Sequence, residues 1–209
     1  AYARLAQRLN LWLTTRTSSG VLFETDLRLR PSGAAGLLVS SVEAFARYQE
    51  ESAWVWEHQA LTRARYCAGD AAVGSAFEAL RTRILVRPRE AAALAKEVLA
   101  MRQRMHDAHP NPSGSFDVKH DRGGMIDLEF IVQYLVLAHA HRFPDLTGNL
   151  GNIALLQMAG GHALIPPELA ERCRNAYREF RRLQHKLRLS GAQYARVPLD
   201  QVAQHAGAV

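Results

Sequence analysis

Glu24, Asp26, Arg28 and Arg30 occupy alternate positions of a run, Val21 to Arg30, that alternates throughout between an apolar and a polar set. In a strand such residues share one face, with successive members about 7 Å apart. A carboxylate beside two guanidiniums on one surface suits a metal-bound polyphosphate. Asp26 offers oxygen to Mg2+, and Arg28 and Arg30 offer forked donors to phosphate oxygens. The same spacing also describes a charge ladder on a solvated sheet face, where exposed pairs stabilise little. Spacing alone leaves both readings open. The adjoining Pro31-Ser-Gly-Ala-Ala-Gly36 is glycine-rich enough to approach phosphate, yet it is neither a Walker loop nor a dinucleotide fingerprint.

A second constellation is Gly114-Ser115 followed, after eleven intervening residues, by Asp127-Leu-Glu129. It mimics a nucleotidyltransferase signature in which two carboxylates clamp two metals from a strand. Gly124 to His141 reads as a helix, however. Residues two apart on a helix lie roughly 200° apart, so Asp127 and Glu129 cannot share a metal. One of them is expected to cap the first turn or pair with an arginine, and the other to face a cleft. His139 and His141 have the wrong spacing for a shared helical metal face. The pairs His106-Asp107 and His120-Asp121 are read as surface or capping residues, and Tyr48, Trp54 and Trp56 as packing residues. No G-x-S-x-G elbow occurs.

These residues need elements to hold them. Residues 1–13 form an amphipathic helix with Leu5, Leu9, Trp12 and Leu13 on one face. After the loop Thr14-Thr-Arg-Thr-Ser-Ser-Gly20 comes the strand 21–30, then a short second strand, Gly36-Leu-Leu-Val39. Ser40-Ser-Val-Glu43 has the form of a capping box opening a helix through Val42, Phe45 and Tyr48. Beyond it the chain is nearly all helical. Apolar stripes run through Phe77, Leu80 and Ile84, and through Leu94, Val98, Met101 and Met105. A Pro/Gly loop over 109–115 and a short strand at 116–119 precede the helix from Gly124, which is apolar on several sides and therefore central. Ile153 to Met158 and Leu169 to Leu189 complete a bundle. The fold class is α+β, predominantly α: a small mixed piece over 1–70, then a helical domain over 71–209, with the boundary near Gly69–Gly74.

The chain has 209 residues, 48% of them hydrophobic, which is too apolar for a disordered segment. Its longest apolar stretch, Phe130 to Ala140, is about half of the ~20 residues that a membrane span needs. Of 26 basic residues only Lys96, Lys119 and Lys186 are lysine, and the rest are scattered arginines, attributed mainly to a composition bias. Scattered charge argues against a nucleic-acid surface. Cys67 and Cys173 have no CxxC partners, so a reducing, cytoplasmic setting is expected. The start lacks Met and opens in mid-helix rhythm, as in a segment of a longer protein.

Four segments together resemble one family closely. They are Thr14 to Gly20, Phe23-Glu-Thr-Asp-Leu-Arg-Leu-Arg-Pro-Ser-Gly-Ala-Ala-Gly36, Trp54-Val-Trp-Glu-His-Gln-Ala-Leu-Thr-Arg-Ala-Arg65 and Phe116-Asp-Val-Lys-His-Asp-Arg-Gly-Gly-Met-Ile-Asp-Leu-Glu-Phe-Ile-Val-Gln133. The resemblance is to the bacterial bifunctional glutamine synthetase adenylyltransferases/adenylyl-removing enzymes, and the Trp-Glu-His-Gln-Ala-Leu wording is similar to their C-terminal, AMP-transferring half. It implies part of a polymerase-β-like nucleotidyltransferase domain followed by a helical domain similar to that of PII uridylyltransferases. It further implies AMP transfer from ATP, with Mg2+, to a tyrosine of glutamine synthetase, under control of the PII signal protein. By position, Asp26 matches the third metal carboxylate, and Lys119, Asp127 and Glu129 match a segment of the helical domain; with the strand-face reading, Arg28 and Arg30 are expected to bind phosphate and Lys119 to be a further nucleotide-binding residue. No Asp-x-Asp occurs in the sequence. Two of three metal carboxylates are therefore expected to be missing and the segment alone inactive. The pattern also leads one to expect an arginine near Ala154. The alternatives are the phosphorolytic adenylyl-removing half, or a helical regulatory module that binds glutamine synthetase or PII.

Overall fold

A computed structural model describes the chain except for Leu22, Arg28 and Leu29. Among the described residues there are nine α-helices and four strands of two residues each, the α+β, mostly α architecture that the periodicities imply. Helix α1 (Tyr2–Thr14) leads into a hairpin of β1 (Arg16–Thr17) and β2 (Gly20–Val21), with Arg16 opposite Val21 and Thr17 opposite Gly20. On the apolar face of α1, Leu5, Leu9, Trp12 and Leu13 are all exposed.

The strand expected over 21–30 is not formed in its described part beyond Val21. Residues 23–27 have no ladder partner. Instead the Phe23 N–H donates to the Leu13 carbonyl at 3.2 Å, and the Thr25 hydroxyl to Asn10 Oδ1 at 2.5 Å, which ties the segment back to α1. Alternation specifies which side chains share a face, but a strand also needs a neighbouring backbone to accept its hydrogen bonds. The second strand, 36–39, is likewise absent. A 3-10 turn, Gly33–Ala35, occupies the bend, and the chain folds so tightly that a Cβ on Gly36 would lie 1.9 Å from the Pro31 carbonyl oxygen.

Helix α2 (Val42–Glu51) is capped by Ser41, whose hydroxyl accepts from the Ala44 N–H, one residue later than the expected box. Helix α3 (Val55–Leu61) follows. The Glu57 carboxylate accepts both the Trp54 N–H at 2.9 Å and the Tyr48 hydroxyl at 3.0 Å, which joins α2 to α3. Asp70 and Glu90 cap α4 (Ala71–Leu85) and α5 (Ala91–Asp107). Strand β3 (Phe116–Asp117) pairs antiparallel with β4 (Arg196–Val197), and between them lie α6 (Met125–His139), α7 (Asn152–Gly161) and α8 (Pro167–Leu189). Helix α9 (Leu199–Ala206) closes the described chain.

Two apolar clusters hold these helices. One gathers Leu128, Val132, Val136, Leu156, Ala176, Phe180 and Val202 between α6, α7, α8 and α9. The other gathers Leu61, Leu80, Ile84, Leu85, Leu94 and Val98 with Leu137 and Ala138 of α6. Helix α6 thus buries opposite sides in two cores, as its all-round apolar sequence requires. Helix α8 buries the expected stripe, Cys173, Tyr177, Phe180 and Leu183. Arginines do structural work inside this packing. Arg81 donates to the carbonyls of Leu61, Thr62 and Thr147. Arg89 donates to those of Ile84, Leu85 and Leu137, and burial with Arg87 nearby pushes its pKa down to about 10. No helix among the described residues is long and apolar enough to cross a membrane.

Candidate functional site

The polar segment after the hairpin forms an open recess lined by Asn10, Glu24, Thr25, Asp26 and Leu27. Its donors are all oxygen: two carboxylates, an amide and a hydroxyl. Oxygen-only sets with one or two carboxylates fit Mg2+, which takes its remaining ligands from phosphate and water. Among the described residues no group of three or more His, Cys, Asp or Glu could hold a metal ion by itself. Asp26 is exposed and makes an interaction of its own within the chain.

Arg30 adjoins this recess but is engaged elsewhere. Its guanidinium donates to the Leu27 carbonyl and, at 3.3 Å, to the Gly36 carbonyl, closing the bend between them. Arg28 lies outside the described residues. Lys119 sits in a different place, the turn between β3 and α6, with its side chain exposed. The carboxylate of Asp117 accepts the Lys119 and His120 N–H groups at 3.0 and 3.1 Å, and Asp121 Oδ2 accepts the Asp117 N–H at 2.8 Å. The structure thus distributes the expected residues over two sites, the Asp26 recess and the Lys119 turn.

Asp127 and Glu129 diverge as their helical spacing dictates. Asp127 pairs with Arg102 and accepts the N–H of Gly123, the residue before the N-cap of α6, at 2.6 Å, so it serves as an ion-pair partner and as an anchor of the turn. Glu129 faces α8, where it accepts the Tyr177 hydroxyl at 3.0 Å. The Asn152 amide donates to that same hydroxyl at 2.9 Å, and Arg63 donates to Asn152 Oδ1 at 3.3 Å. Burial, reinforced by Glu129, pushes the Tyr177 pKa up to about 12.

His109 and His120 are partnered within the fold. His120 stacks on His109 with ring centres 4.5 Å apart, and burial lowers its pKa despite Asp117 at 3.3 Å. Of the aromatic residues expected to pack, Tyr48 is used as above, but Trp54 is 67% exposed because its backbone, not its ring, starts α3.

Sequence reading missed Arg102 altogether. It lies four residues after Val98 on the apolar stripe of α5 and is 8% exposed. An arginine on a buried helix face was the available signal.

Comparison with known proteins bears directly on these two sites. Residues 1–80 match the family described as glutamate-ammonia ligase adenylyltransferase, and residues 92–209 match the family described as GlnD PII-uridylyltransferase. The relative from Aromatoleum aromaticum, a bifunctional glutamine synthetase adenylyltransferase/adenylyl-removing enzyme, is 63% identical over 97% of this chain. The chain belongs to the bifunctional adenylyltransferase/adenylyl-removing family. Its residues 92–209 also place it in the family described as GlnD PII-uridylyltransferase. Similarly named relatives from Nitrosomonas europaea and Burkholderia mallei are 61% and 55% identical over 91% and 100% of the chain. The chain spans about a fifth of these relatives' length: 21%, 20% and 23% respectively. The Asp26 recess thus lies in the adenylyltransferase-matching part, and the Lys119 turn in the part matching the uridylyltransferase family.

Proposed function

We propose that the chain is part of a centre that transfers AMP from ATP to a tyrosine of glutamine synthetase. Residues 1–70 contribute to the nucleotidyltransferase domain and residues 71–209 form the helical domain beside it. The observation that carries this reading is the oxygen-lined recess around Asp26, inside the stretch that matches the adenylyltransferase family. In the reaction the tyrosine oxygen bonds to the α-phosphorus, the bond from that phosphorus to the bridging oxygen breaks, and pyrophosphate leaves. Bound Mg2+ would stabilise the charge developing on the phosphate oxygens. Asp26 would hold it, together with the two carboxylates of an Asp-x-Asp pair that this sequence does not contain.

Arg28, Arg30 and Lys119 would bind the phosphates. For Arg30 this requires exchanging its bonds to the Leu27 and Gly36 carbonyls for phosphate oxygens. The AMP-transferring, C-terminal half of the family, a cytoplasmic location and PII as a regulator complete the proposal.

The test uses the Aromatoleum aromaticum relative with its matching 202 residues replaced by this chain. The hybrid is expected to label glutamine synthetase with AMP from ATP and release pyrophosphate. Loss of phosphate-dependent AMP removal in the Asp26→Asn hybrid, with labelling retained, would assign the chain to the removing half. The 209-residue chain alone is expected to show no transfer. A second reading, a module that docks PII, is favoured by the match of 92–209 to a PII-uridylyltransferase family, and a pull-down of PII by the chain without nucleotide would support it.

A further inference from the structure

Lys119 can act on a phosphate only if its turn is held still, and the turn is held by a residue on another helix. The guanidinium of Arg102, in the middle of α5, is nearly buried and reaches three places at once. Its Nε pairs with Asp127, and its Nη2 donates to the His120 carbonyl at 2.9 Å and the Asp121 carbonyl at 3.3 Å. Asp127 in turn accepts the Gly123 N–H at 2.6 Å. Arg102 and Asp127 therefore bracket the turn from both sides, one through its carbonyls and the other through its last amide.

The remaining groups of the turn close around the same frame. Asp117 accepts the amides of Lys119 and His120, and Asp121 accepts that of Asp117 and the side chain of Asn111. The Val118 and Lys119 carbonyls accept the Met125 and Ile126 N–H groups of α6. Gly123 has φ +80°, and a Cβ there would lie 2.7 Å from the Ala206 carbonyl oxygen, so the turn also fits against the end of α9. With its backbone fixed in this way, the exposed Lys119 side chain is the charged tip of a rigid mount.

We propose that Arg102 is a positioning residue: it fixes the β3–α6 turn so that Lys119 is presented to the nucleotide. The inference rests on the proposed phosphate-binding role of Lys119 for its functional half, and on geometry alone for its positional half. A guanidinium fork is required, because a single ammonium cannot satisfy one carboxylate and two carbonyls in different directions.

The experiment compares Lys119→Ala, Arg102→Lys and the double variant in the hybrid enzyme, reading kcat and KM for ATP separately. It also follows amide exchange at 119–124 in the 209-residue chain. Lys119→Ala is expected to raise KM about tenfold, the equivalent of one charge-assisted hydrogen bond. Arg102→Lys is expected to raise KM severalfold, and the double variant to match Lys119→Ala alone within about twofold, since both changes remove one interaction. Exchange at 119–124 should speed up about tenfold or more in Arg102→Lys while the core helices keep their protection.

Multiplying effects in the double variant would overturn the inference, as would unchanged exchange in the turn. If Lys119→Ala leaves KM unaltered, the nucleotide role of Lys119 fails and the functional half of the inference with it; exchange still decides the positional half. Should Arg102→Lys not fold, Asp127→Asn removes the same ion pair with little change of shape and is read by the same two measurements.

Discussion

The Arg81 guanidinium donates to the Thr147 carbonyl at 2.8 Å, across 66 residues of sequence, and uses its other nitrogens on the Leu61 and Thr62 carbonyls at 2.8 and 3.0 Å. Arg81 is 3% exposed. One side chain thus joins the end of α3, the middle of α4 and the turn that follows α6. Replacing it with Met removes three buried donors at once and leaves their acceptors in a dry interior. The expected loss is about 3–5 kcal/mol of unfolding free energy. Arg81→Lys should recover only a small part, because an ammonium cannot reach three divergent carbonyls. Urea unfolding of the three proteins checks both statements.

Tyr177 makes a second long-range tie. Its hydroxyl donates to Glu129 and accepts from Asn152, which also receives Arg63. Tyr177→Phe keeps the ring in the core and deletes only this junction. The expected cost is about 1–3 kcal/mol, the range for a buried hydrogen bond to a charged group. Because the phenol pKa is pushed up to about 12, spectroscopic titration of the folded chain should show Tyr177 still protonated at pH values where exposed tyrosines have ionised.

Acid should weaken the fold through His58. This ring is 8% exposed; its Nε2 donates to the Gln49 carbonyl at 2.9 Å, while Arg89 stands 3.5 Å from Nδ1. Burial, with Arg89 and Arg87 adding to it, holds its pKa below the ordinary 6.5. The unfolded chain therefore takes up a proton that the folded chain refuses. Stability from this residue is complete above about pH 6.5 and falls as pH drops below it toward the lowered folded value. His120 and His139, both lowered chiefly by burial, add to the same slope. His58→Gln, which can still donate to Gln49 but does not titrate, should flatten the pH dependence of the urea midpoint without abolishing it.

The helices were legible because their sequences carry a packing instruction. The stripe of α8 and the all-round apolarity of α6 state which sides must be covered, and the two cores cover them. Partners were not legible. The alternation of residues 21–30 names a face but no neighbour, and residues 23–27 bond to α1 instead of to a strand. The arginines were misjudged for a related reason. Arg81, Arg89 and Arg102 look like the other twenty in composition, and only their places on apolar stripes separate a buried clamp from a surface charge. At the candidate sites, Glu24 and Asp26 line one recess together with Thr25 and Leu27, which the alternation assigns to the opposite face. Spacing could not show that Lys119 belongs to another turn, or that Arg102 holds that turn.

The central claim is that Asp26 supplies a metal-binding carboxylate to an AMP-transfer centre. The most direct test is Asp26→Asn in the hybrid enzyme, measured as AMP incorporated into glutamine synthetase per unit time at saturating ATP and Mg2+, with thermal stability followed in parallel. A fall of at least about a hundredfold at unchanged melting temperature is predicted, since the substitution keeps the shape and removes the charge that holds the cation. Turnover near that of the unsubstituted hybrid would contradict the account and take Asp26 out of the site.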